Sequence, residues 1–444
     1  MNRLHPPKTV LAIAAQLERA GFETWCVGGA IRDALLGHPH LDWDLATSAT
    51  PAEMRDLFGF KRTIPIGVEF GTVGVLDTDG RMHEVTTFRR DVRTDGRHAE
   101  VEFGVSLDDD LARRDFTINA MAYSPERDEL RDPFGGQLDI SRKLIRAVGD
   151  PDARMREDRL RALRAIRFAA RFGFSIDPPT RAAIESSAPF LGRLSRERVK
   201  QELDKTMEQV RCPSEALLIW QSAGAFASLI PQLDTVTRTT LTVPDRLAIP
   251  GPSTRPARRS LRYAGLLSGL SAKDGERILV SLKASKNEIQ WITALVDKWH
   301  RFGREMRESL TAGVPADVQV RRWVAGVGRL DVGAFMRLAS AVWTANGDDQ
   351  RAPSVESVRR LYRRMLQISL RDPIDLGSLA IDGDDLRRAG IPPGRSLGMI
   401  LRWLLETVID DPAKNTADYL LQEAQRHSER LQRDPGGAGP GQET

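Results

Sequence analysis

The sequence predicts an α+β fold, in which a head of mixed strands and helices precedes a chain that is almost entirely helical. Within residues 1–150, short apolar runs such as TWCV and GTVGVL have the length and alternation of strands and are separated by helical segments. From Asp152 onward, apolar residues recur at helical spacing, as in RMREDRLRALRAIRFAARFGF. At 444 residues the chain is too long for one ordinary core, so we expect several domains.

Composition and charge narrow the class of protein. The chain has 41% apolar and 28% charged residues, which is typical of a globular protein. Its net charge is only +4, from 65 basic and 61 acidic residues, which is small for a dedicated nucleic-acid binder. Any anionic partner must therefore be inferred from where the arginines lie, because arginine binds phosphates and base edges through two hydrogen bonds at once.

The cysteines and the apolar runs indicate where the protein resides. Cys26 and Cys212 lie far apart with no cysteine or histidine at ligand spacing, so we expect neither a disulfide nor a zinc site. No apolar run reaches the roughly 20 residues needed to cross a bilayer, and the N-terminus has the pattern of a short amphipathic helix. The sequence therefore predicts a cytoplasmic protein with no membrane partner.

A glycine pair follows the first predicted strand, at residues 24–28, and precedes a helix. Such a pair lets backbone N–H groups approach a phosphate closely, and the helix N-terminus adds favourable partial charge. Gly28, Gly29 and Arg32 are therefore candidate ligands of a phosphate. A glycine pair alone is more often only a turn.

Two aspartates follow at alternate positions of the next predicted strand. Asp42 and Asp44 are expected to project together from one side while Trp43 is buried on the other. A pair of carboxylates suits a hard divalent cation such as Mg²⁺ that is also held by phosphates. Glu84, on one strand of a hairpin predicted for residues 71–88, is the candidate third acid, with a half-exposed strand residue as the alternative.

The segment RRDFTINAMA, residues 113–122, is predicted to start another helix. Arg113 and Arg114 would then lie at a helix N-terminus, where the dipole favours acids, so a bound anion would explain them. Arg114 is accordingly a candidate phosphate ligand. Asp115 is predicted as the N-cap, and Asn119 as a contact to a sugar hydroxyl.

An arginine-rich helix is predicted for residues 157–172. Glu157, Arg161, Arg164, Arg167 and Arg171 fall within about 120° of arc at 100° per residue, with apolar residues on the opposite side. Four arginines with little compensating acid repel one another unless an anion lies among them. The alternative is a solvated charged surface.

Asp158 and Arg161 are neighbours at i and i+3 on this predicted helix. Together they offer an acceptor and a donor to one planar edge. Cytosine and adenine carry an exocyclic amine beside a ring acceptor, whereas uracil and guanine carry a carbonyl there. The pair therefore suits C and A and rejects U and G.

Seven motifs occur in order between residues 24 and 210: GGAIRD, LDWDLATSATP, EVTTFRRD, DGRH, DDLARRDFTINAMA, DPFGG and EDRLRALRAIRFAARFGF. This series resembles the motifs of bacterial class II tRNA nucleotidyltransferases, the CCA-adding enzymes, which bacterial poly(A) polymerases share. The resemblance implies a polymerase-β-like nucleotidyltransferase head followed by all-helical neck, body and tail domains. The implied divisions are 1–150 for the catalytic head, 151–232 for the nucleotide-selecting neck, 233–258 for an irregular linker, 259–370 for the body, 371–432 for the tail and 433–444 for a disordered end.

The resemblance also implies roles for the candidate residues. The metal-binding acids of the family match Asp42 and Asp44, and Mg²⁺ is the expected cofactor. Its triphosphate and ribose contacts match Gly29, Arg32 and Arg114. Its base-reading and neighbouring neck residues match Asp158, Arg161, Arg164 and Arg167.

The implied activity is template-independent addition of C, C and A to the 3′ end of tRNA from CTP and ATP, with release of pyrophosphate. Residues 89–110 resemble the full flexible loop that enzymes restricted to CC addition lack. The Gly-rich end of the chain differs from the basic extension usual in poly(A) polymerases. An A-adding-only enzyme, a poly(A) polymerase and a non-catalytic RNA-binding protein remain the alternatives.

The C-terminal part of the chain resembles the tail of the family. Residues 390–394 (GIPPG) are predicted as a turn between two helices, and the tail is expected to contact tRNA far from the acceptor end. No protein partner is predicted.

Overall fold

The computed structural model describes residues 4–38, 42–94, 99–247, 256–345 and 352–433. The chain forms two compact units, Met1–Val236 with Val280–Ala284, and Thr237–Leu279 with Ser285–Thr444. Within the described ranges, no helix combines the length and the apolar character that crossing a bilayer requires. The segment 433–444, predicted to be disordered, lies outside the described residues except for its first position.

All strands found among the described residues belong to the first unit. They are β1 (Thr24–Val27), β2 (Asp44–Thr47), β3 (Thr63–Gly67), β4 (Thr72–Leu76), β5 (Met82–Thr87), β6 (Arg89–Thr94), β7 (Ala99–Phe103), β8 (Ala122–Ser124), β9 (Glu129–Arg131), β10 (Leu144–Ile145) and β11 (Ser175–Ile176).

The helices of the first unit are α1 (Lys8–Arg19), α2 (Gly29–Leu35), α3 (Pro51–Phe58), α4 (Leu107–Ala112), α5 (Gly136–Ser141), α6 (Pro151–Glu157), α7 (Leu160–Phe172), α8 (Pro178–Ser187), α9 (Arg196–Gln209), α10 (Pro213–Ser222), α11 (Ala225–Leu229) and α12 (Pro231–Asp234). The remaining helices are α13 (Arg238–Thr242), α14 (Pro256–Leu267), α15 (Ala272–Ser281), α16 (Lys286–Ala312), α17 (Asp317–Val327), α18 (Val332–Ala345), α19 (Val355–Arg371), α20 (Gly383–Arg388), α21 (Arg395–Asp410) and α22 (Ala417–Arg433). A strand-rich head followed by helices confirms the predicted α+β class.

A seven-stranded sheet in the order β3-β4-β5-β2-β1-β8-β9 organises the head. Its pairings are antiparallel except that of β2 with β5, where Leu45 lies opposite Val85 in a parallel register. One face packs on α1, α2 and α3 through a core that includes Leu17, Ile31 and Met54. On the other face, Trp25 and Phe88 pack with apolar residues of α4. The acidic end of β2 thus lies in the middle of the sheet.

The predicted hairpin of residues 71–88 is present as β4 and β5, and its turn is closed by a buried aspartate. Asp77 accepts backbone hydrogen bonds of 2.9 Å from Asp79 and Arg81, and its second oxygen lies 3.0 Å from Nε2 of His83. The hydrogen bond from His83, supported by those backbone N–H groups, lowers the pKa of Asp77 to about 2.

Asp77 should therefore stabilise the fold in a pH-dependent way. A carboxyl whose folded pKa is depressed contributes stability above its unfolded pKa of about 4, and the contribution is lost as the pH falls toward 2. We expect the difference in free energy of unfolding between wild type and Asp77→Asn, measured by urea denaturation, to be larger at pH 6 than at pH 3. Asp79→Asn, in the same turn but exposed, is the control. An equal difference for Asp77→Asn at both pH values would contradict this assignment.

The segment 113–122 does not start a helix, contrary to the sequence prediction. The helix begins earlier, at α4, where Ser106 forms a capping box with Asp109, and it ends at Ala112. Acids fill the first turn of α4, so Arg113 and Arg114 follow its C-terminal end, which is favourable for cations. Asp115 is accordingly not an N-cap. Its segment continues as a short 3₁₀ turn, Thr117–Asn119, into the inner strand β8.

Three further segments differ from their predicted form. The stretch predicted as a mobile loop after residue 88 contains the antiparallel strands β6 and β7, while residues 95–98 lie outside the described ranges. The helix predicted for residues 157–172 is broken, because Asp158 has extended backbone angles between α6 and α7. The segment 233–258 is helical in its first half, where Leu241, Val243 and Leu247 are buried, and 248–255 are not described.

The second unit consists of packed helices. Arg321 on α17 donates to the backbone carbonyls of Ile409 and Asp410 at the end of α21, at 2.6 and 3.1 Å. The helices α20, α21 and α22 share an apolar core that includes Leu386, Leu404 and Leu420. The turn predicted at residues 390–394 lies between α20 and α21.

Candidate active site

One cavity of about 500 Å³ in the first unit brings most of the candidate residues together. The candidates that line it are Gly28, Gly29, Arg32, Asp44, Arg114, Asn119, Asp158, Arg161, Arg164 and Arg167. Asp42 and Glu84 do not belong to this lining. The cavity therefore lies between the ends of the central strands β1 and β2 of the head sheet and the helix α7 that follows the head.

The glycines before α2 allow an arginine to approach the backbone closely. Gly28 has a φ of 76°, and a Cβ atom there would lie 2.9 Å from Nη1 of Arg114. Arg114 is held from its other side by Asp110, whose Oδ2 accepts from Nη2 at 3.0 Å. Among the described residues, no partner is found for the buried Nε of Arg114. The guanidinium of Arg114 is thus held at the cavity wall by Gly28 and Asp110.

Arg32 is almost completely buried and lies between rings and polar groups. Its guanidinium carbon lies 5.0 Å from the ring centre of Phe168 and 4.8 Å from that of Phe172. Its Nε donates to Asp33 at 2.7 Å, and its Nη1 donates to Oδ1 of Asn119. Burial lowers the pKa of Arg32, while Asp33 acts to raise it. Asn119 is therefore tied to Arg32 in this structure.

Asp115 connects the head to α7. Its Oδ2 accepts from Nε and Nη2 of Arg164 at 2.8 and 2.7 Å, and its Oδ1 accepts from Asn119 at 2.9 Å. Burial acts to raise the pKa of Asp115, but Arg164 and Asn119 outweigh burial and lower it. The carboxylate therefore stays ionised and fixes Arg164 at the cavity wall.

Arg161 and Arg167 are also paired with acids of the chain. Nη1 of Arg161 donates to Glu157 at 2.7 Å, and its Nη2 donates to the carbonyl of Arg113 at 3.0 Å. Nε of Arg167, a buried residue, donates to the equally buried Glu202 at 2.7 Å. The argument that these arginines need an external anion is therefore wrong, because Glu157 of the same predicted helix and Glu202 of α9 supply compensating charge.

The acids of the sheet lie beside this cavity. Asp42 and Asp44 are both exposed while Trp43 between them is buried, as the alternation predicts, although β2 begins only at Asp44. Glu84 precedes Val85 on β5 as Asp44 precedes Leu45 on β2, so the parallel register places both acids on the same face. Within the described ranges, no group of three acidic, histidine or cysteine side chains is close enough to hold a metal ion.

The donor set nevertheless fits a hard divalent cation. Asp42 and Asp44 offer only carboxylate oxygens, which Mg²⁺ and similar ions prefer, and such ions usually take further ligands from substrate phosphates and water. Asp42 and Asp44 would hold the ion, and Glu84 lies on the same face as Asp44. The role of Glu84 stays a prediction.

Three lining residues were not singled out from the sequence, namely Phe168, Lys205 and Gln209. Arg113, Asp115 and Arg171, which also line the cavity, were considered there as an anion contact, an N-cap and part of the arginine face. Lys205 and Gln209 lie with Glu202 at positions i, i+3 and i+7 of α9, which is one face of a helix. That spacing could have indicated a polar face on α9, although nothing in the sequence shows which helix it meets.

Family models match most of the chain. A model described as the poly A polymerase head domain matches residues 24–146, and one for an RNA and SrmB binding site of polymerase A matches residues 173–236. A third, a tRNA nucleotidyltransferase domain 2, matches residues 260–424. Together with the sheet and its cavity, these matches define a nucleotidyltransferase of the poly(A) polymerase class.

Full-length relatives narrow that class. The CCA-adding enzyme of Geobacillus kaustophilus is 34% identical over 435 residues, covering 96% of this chain and 99% of that protein. The CCA-adding enzyme of Limosilactobacillus fermentum is 33% identical over 421 residues, covering 93% and 95%. The structure of the Bacillus stearothermophilus CCA-adding enzyme with CTP is similar at a TM-score of 0.74 and 28% identity, covering 97% and 100%. The chain belongs to the family of CCA-adding enzymes. Nucleotidyltransferases of this family generally use a divalent metal ion.

Proposed function

We propose that this protein adds C, C and A to the 3′ end of tRNA from CTP and ATP, releases pyrophosphate, and works with Mg²⁺ in the cytoplasm. One observation carries the proposal. A single cavity joins the phosphate candidates Gly28 and Arg114 to the base-reading candidates Asp158 and Arg161, with Asp44 in its wall. Its volume of about 500 Å³ lies in the range of clefts that bind one small ligand such as a nucleoside triphosphate.

Asp42 and Asp44, both exposed to solvent, would hold Mg²⁺, with Glu84 as the further candidate. The bound ion would lower the pKa of the primer 3′-hydroxyl and neutralise charge on the triphosphate. Arg114 and Arg32 lie against Gly28 and Gly29 and line the same cavity as Asp44, so they can bind the phosphates. The left-handed Gly28, which lets Arg114 approach the backbone, supports that role.

Asp158 and Arg161 would select the base of the incoming nucleotide. A carboxylate accepts from the exocyclic amine of C or A, and a guanidinium donates to the adjacent ring nitrogen. Arg161 has five N–H donors and makes three hydrogen bonds within the protein, so donors remain for a base. U and G would instead place a carbonyl oxygen against the carboxylate.

The decisive experiment uses tRNA that lacks its CCA end, incubated with labelled CTP, ATP, UTP or GTP, separately and together. The proposal requires two additions with CTP alone and a third only when ATP is also present. Long tracts made from ATP on unrelated RNA would instead identify a poly(A) polymerase. Addition of A only to tRNA ending in CC would identify an A-adding enzyme, and no transfer under any condition would leave a non-catalytic RNA-binding protein.

The close approach of Arg114 to Gly28 gives a prediction for nucleotide binding. In Gly28→Ala the new methyl group would displace the guanidinium, so we expect the KM for CTP and ATP to rise by roughly tenfold, as for the loss of one charge-assisted hydrogen bond. Gly80→Ala is the control, because Gly80 has the same φ of 76° in an exposed turn with nothing within 4 Å. Equal KM values for the two variants in steady-state transfer assays would contradict the role of Arg114.

A further inference from the structure

Asp158 is held at both of its carboxylate oxygens by groups of the protein itself. It lies in the break between α6 and α7, where its Oδ1 accepts the backbone N–H of Leu160 at 3.0 Å. Its Oδ2 accepts a hydrogen bond of 2.7 Å from Nη2 of Arg198. Two such bonds, one of them charge-assisted, fix both the position and the plane of the carboxylate.

Arg198 is itself anchored by the helix that carries it. It belongs to the first turn of α9, where the side chain of Ser195 accepts the backbone N–H of Arg198 at 3.4 Å. The next residue, Val199, and Leu203 are completely buried, so this part of α9 is packed into the core of the first unit. The guanidinium therefore extends from a fixed backbone to Asp158.

The same face of α9 holds the arginines of α7. Glu202 follows Arg198 by one helical turn and binds Arg167 at 2.7 Å, with Arg164 at 3.8 Å. One turn of α9 thus presents a cation to the base-reading carboxylate and an anion to the cavity arginines. Arg198 does not line the cavity, so it acts on a base only through Asp158.

Rejection of the wrong base depends on this rigidity. U and G present a carbonyl oxygen to Asp158, and the repulsion between two acceptors counts only if the carboxylate cannot rotate away from it. A mobile carboxylate would still find the amine of C or A, but it would lose most of the penalty against U and G. We propose that Arg198 is a specificity-determining positioning residue, which locks Asp158 so that uracil and guanine are excluded. This inference rests on the proposed function.

The test compares wild type with Arg198→Met on tRNA lacking CCA and on tRNA ending in CC. We expect the ratio of kcat/KM for UTP over CTP, and for GTP over ATP, to rise by about tenfold, as for the loss of one hydrogen bond to a charged group. The kcat/KM for CTP and ATP should fall by less than that. Arg198→Lys, which keeps a cation, should restore part of the discrimination, whereas a purely structural role would lower all four rates together.

Arg196→Met is the matched control. Arg196 lies in the same turn of α9 and donates to the backbone carbonyl of Leu229 at 2.9 Å, away from Asp158. Its nucleotide ratios should equal those of wild type. A second check combines Arg198→Met with Asp158→Ala, where Arg198→Met should change the ratios no further because its target is gone.

Unchanged ratios in folded Arg198→Met would overturn the proposal. If Arg198→Met does not fold, Arg198→Leu, which also lacks any donor to Asp158, takes its place under the same criterion. Failure of the wild type to add C or A would refute the proposed function instead. If wild type adds C and A selectively and folded Arg198→Met is equally selective, this inference is refuted while the proposed function stands.

Discussion

Replacing Asp44 by Asn should leave a folded protein whose nucleotide transfer falls by on the order of 10³-fold or more. Asp44 is exposed at the start of β2, so the change removes a charge without opening a cavity in the core. A neutral amide binds a hard divalent cation far less well than a carboxylate, and the developing charge on the phosphates would lose its compensation. Transfer of labelled CTP to tRNA lacking CCA measures the effect.

Asp56→Asn is the matched control for this change, because Asp56 is an exposed acid of the head on α3, outside the cavity. Its activity should stay near that of wild type. Asp42→Asn should resemble Asp44→Asn. Near-normal transfer in either metal-site variant, with an unchanged circular dichroism spectrum, would remove the proposed metal site.

Replacing Glu202 by Ala should cost about 3–5 kcal/mol of unfolding free energy. The carboxylate is 2% exposed and its partner Arg167 is 3% exposed, so the variant leaves a guanidinium buried without its charge partner. The cost comes mainly from that unpaired charge and only partly from the pair itself. Urea denaturation of the full chain, followed by tryptophan fluorescence, measures it.

A double variant separates these two causes. In Glu202→Leu with Arg167→Met, apolar side chains of similar size replace both charges, so much of the stability should return. Glu185→Gln is the comparison for an exposed pair, because Glu185 binds Arg181 at 2.6 Å on the surface of α8, and it should cost no more than about 0.5 kcal/mol. A loss below 1 kcal/mol in Glu202→Ala would show that water or another group compensates Arg167.

What the sequence could predict of the site depended on distance along the chain. Gly28, Gly29 and Arg32 lie within five residues of one another, and Asp42 and Asp44 are two residues apart, so local patterns were enough to group them. The parallel pairing that places Glu84 beside Asp44 joins residues 40 positions apart, and the sequence could suggest it only as one possible hairpin edge.

The partners of the arginines could not be predicted in this way. Asp115 and Arg164 are 49 residues apart, and Glu202 and Arg167 are 35 apart, so no helical or strand period connects them. For the same reason the arginine face seemed to lack compensating acids. The segment 113–122 was wrongly predicted to start a helix because the run FTINAMA is buried along its whole length, and such a continuous run has no period that distinguishes a helix from other buried structure.

The pairing of every cavity arginine with a carboxylate of the chain affects how the protein meets the other polyanions of the cell. Seven arginines share five carboxylates, because Asp33 and Asp110 each pair with two of them. The cavity therefore attracts free phosphate or unrelated RNA at long range less than seven unpaired arginines would. A bound triphosphate must therefore replace these carboxylates as the partner of the arginines, one contact at a time. Such a site selects by fit at short range, and its affinity for nucleotide should depend on ionic strength less than the arginine count suggests.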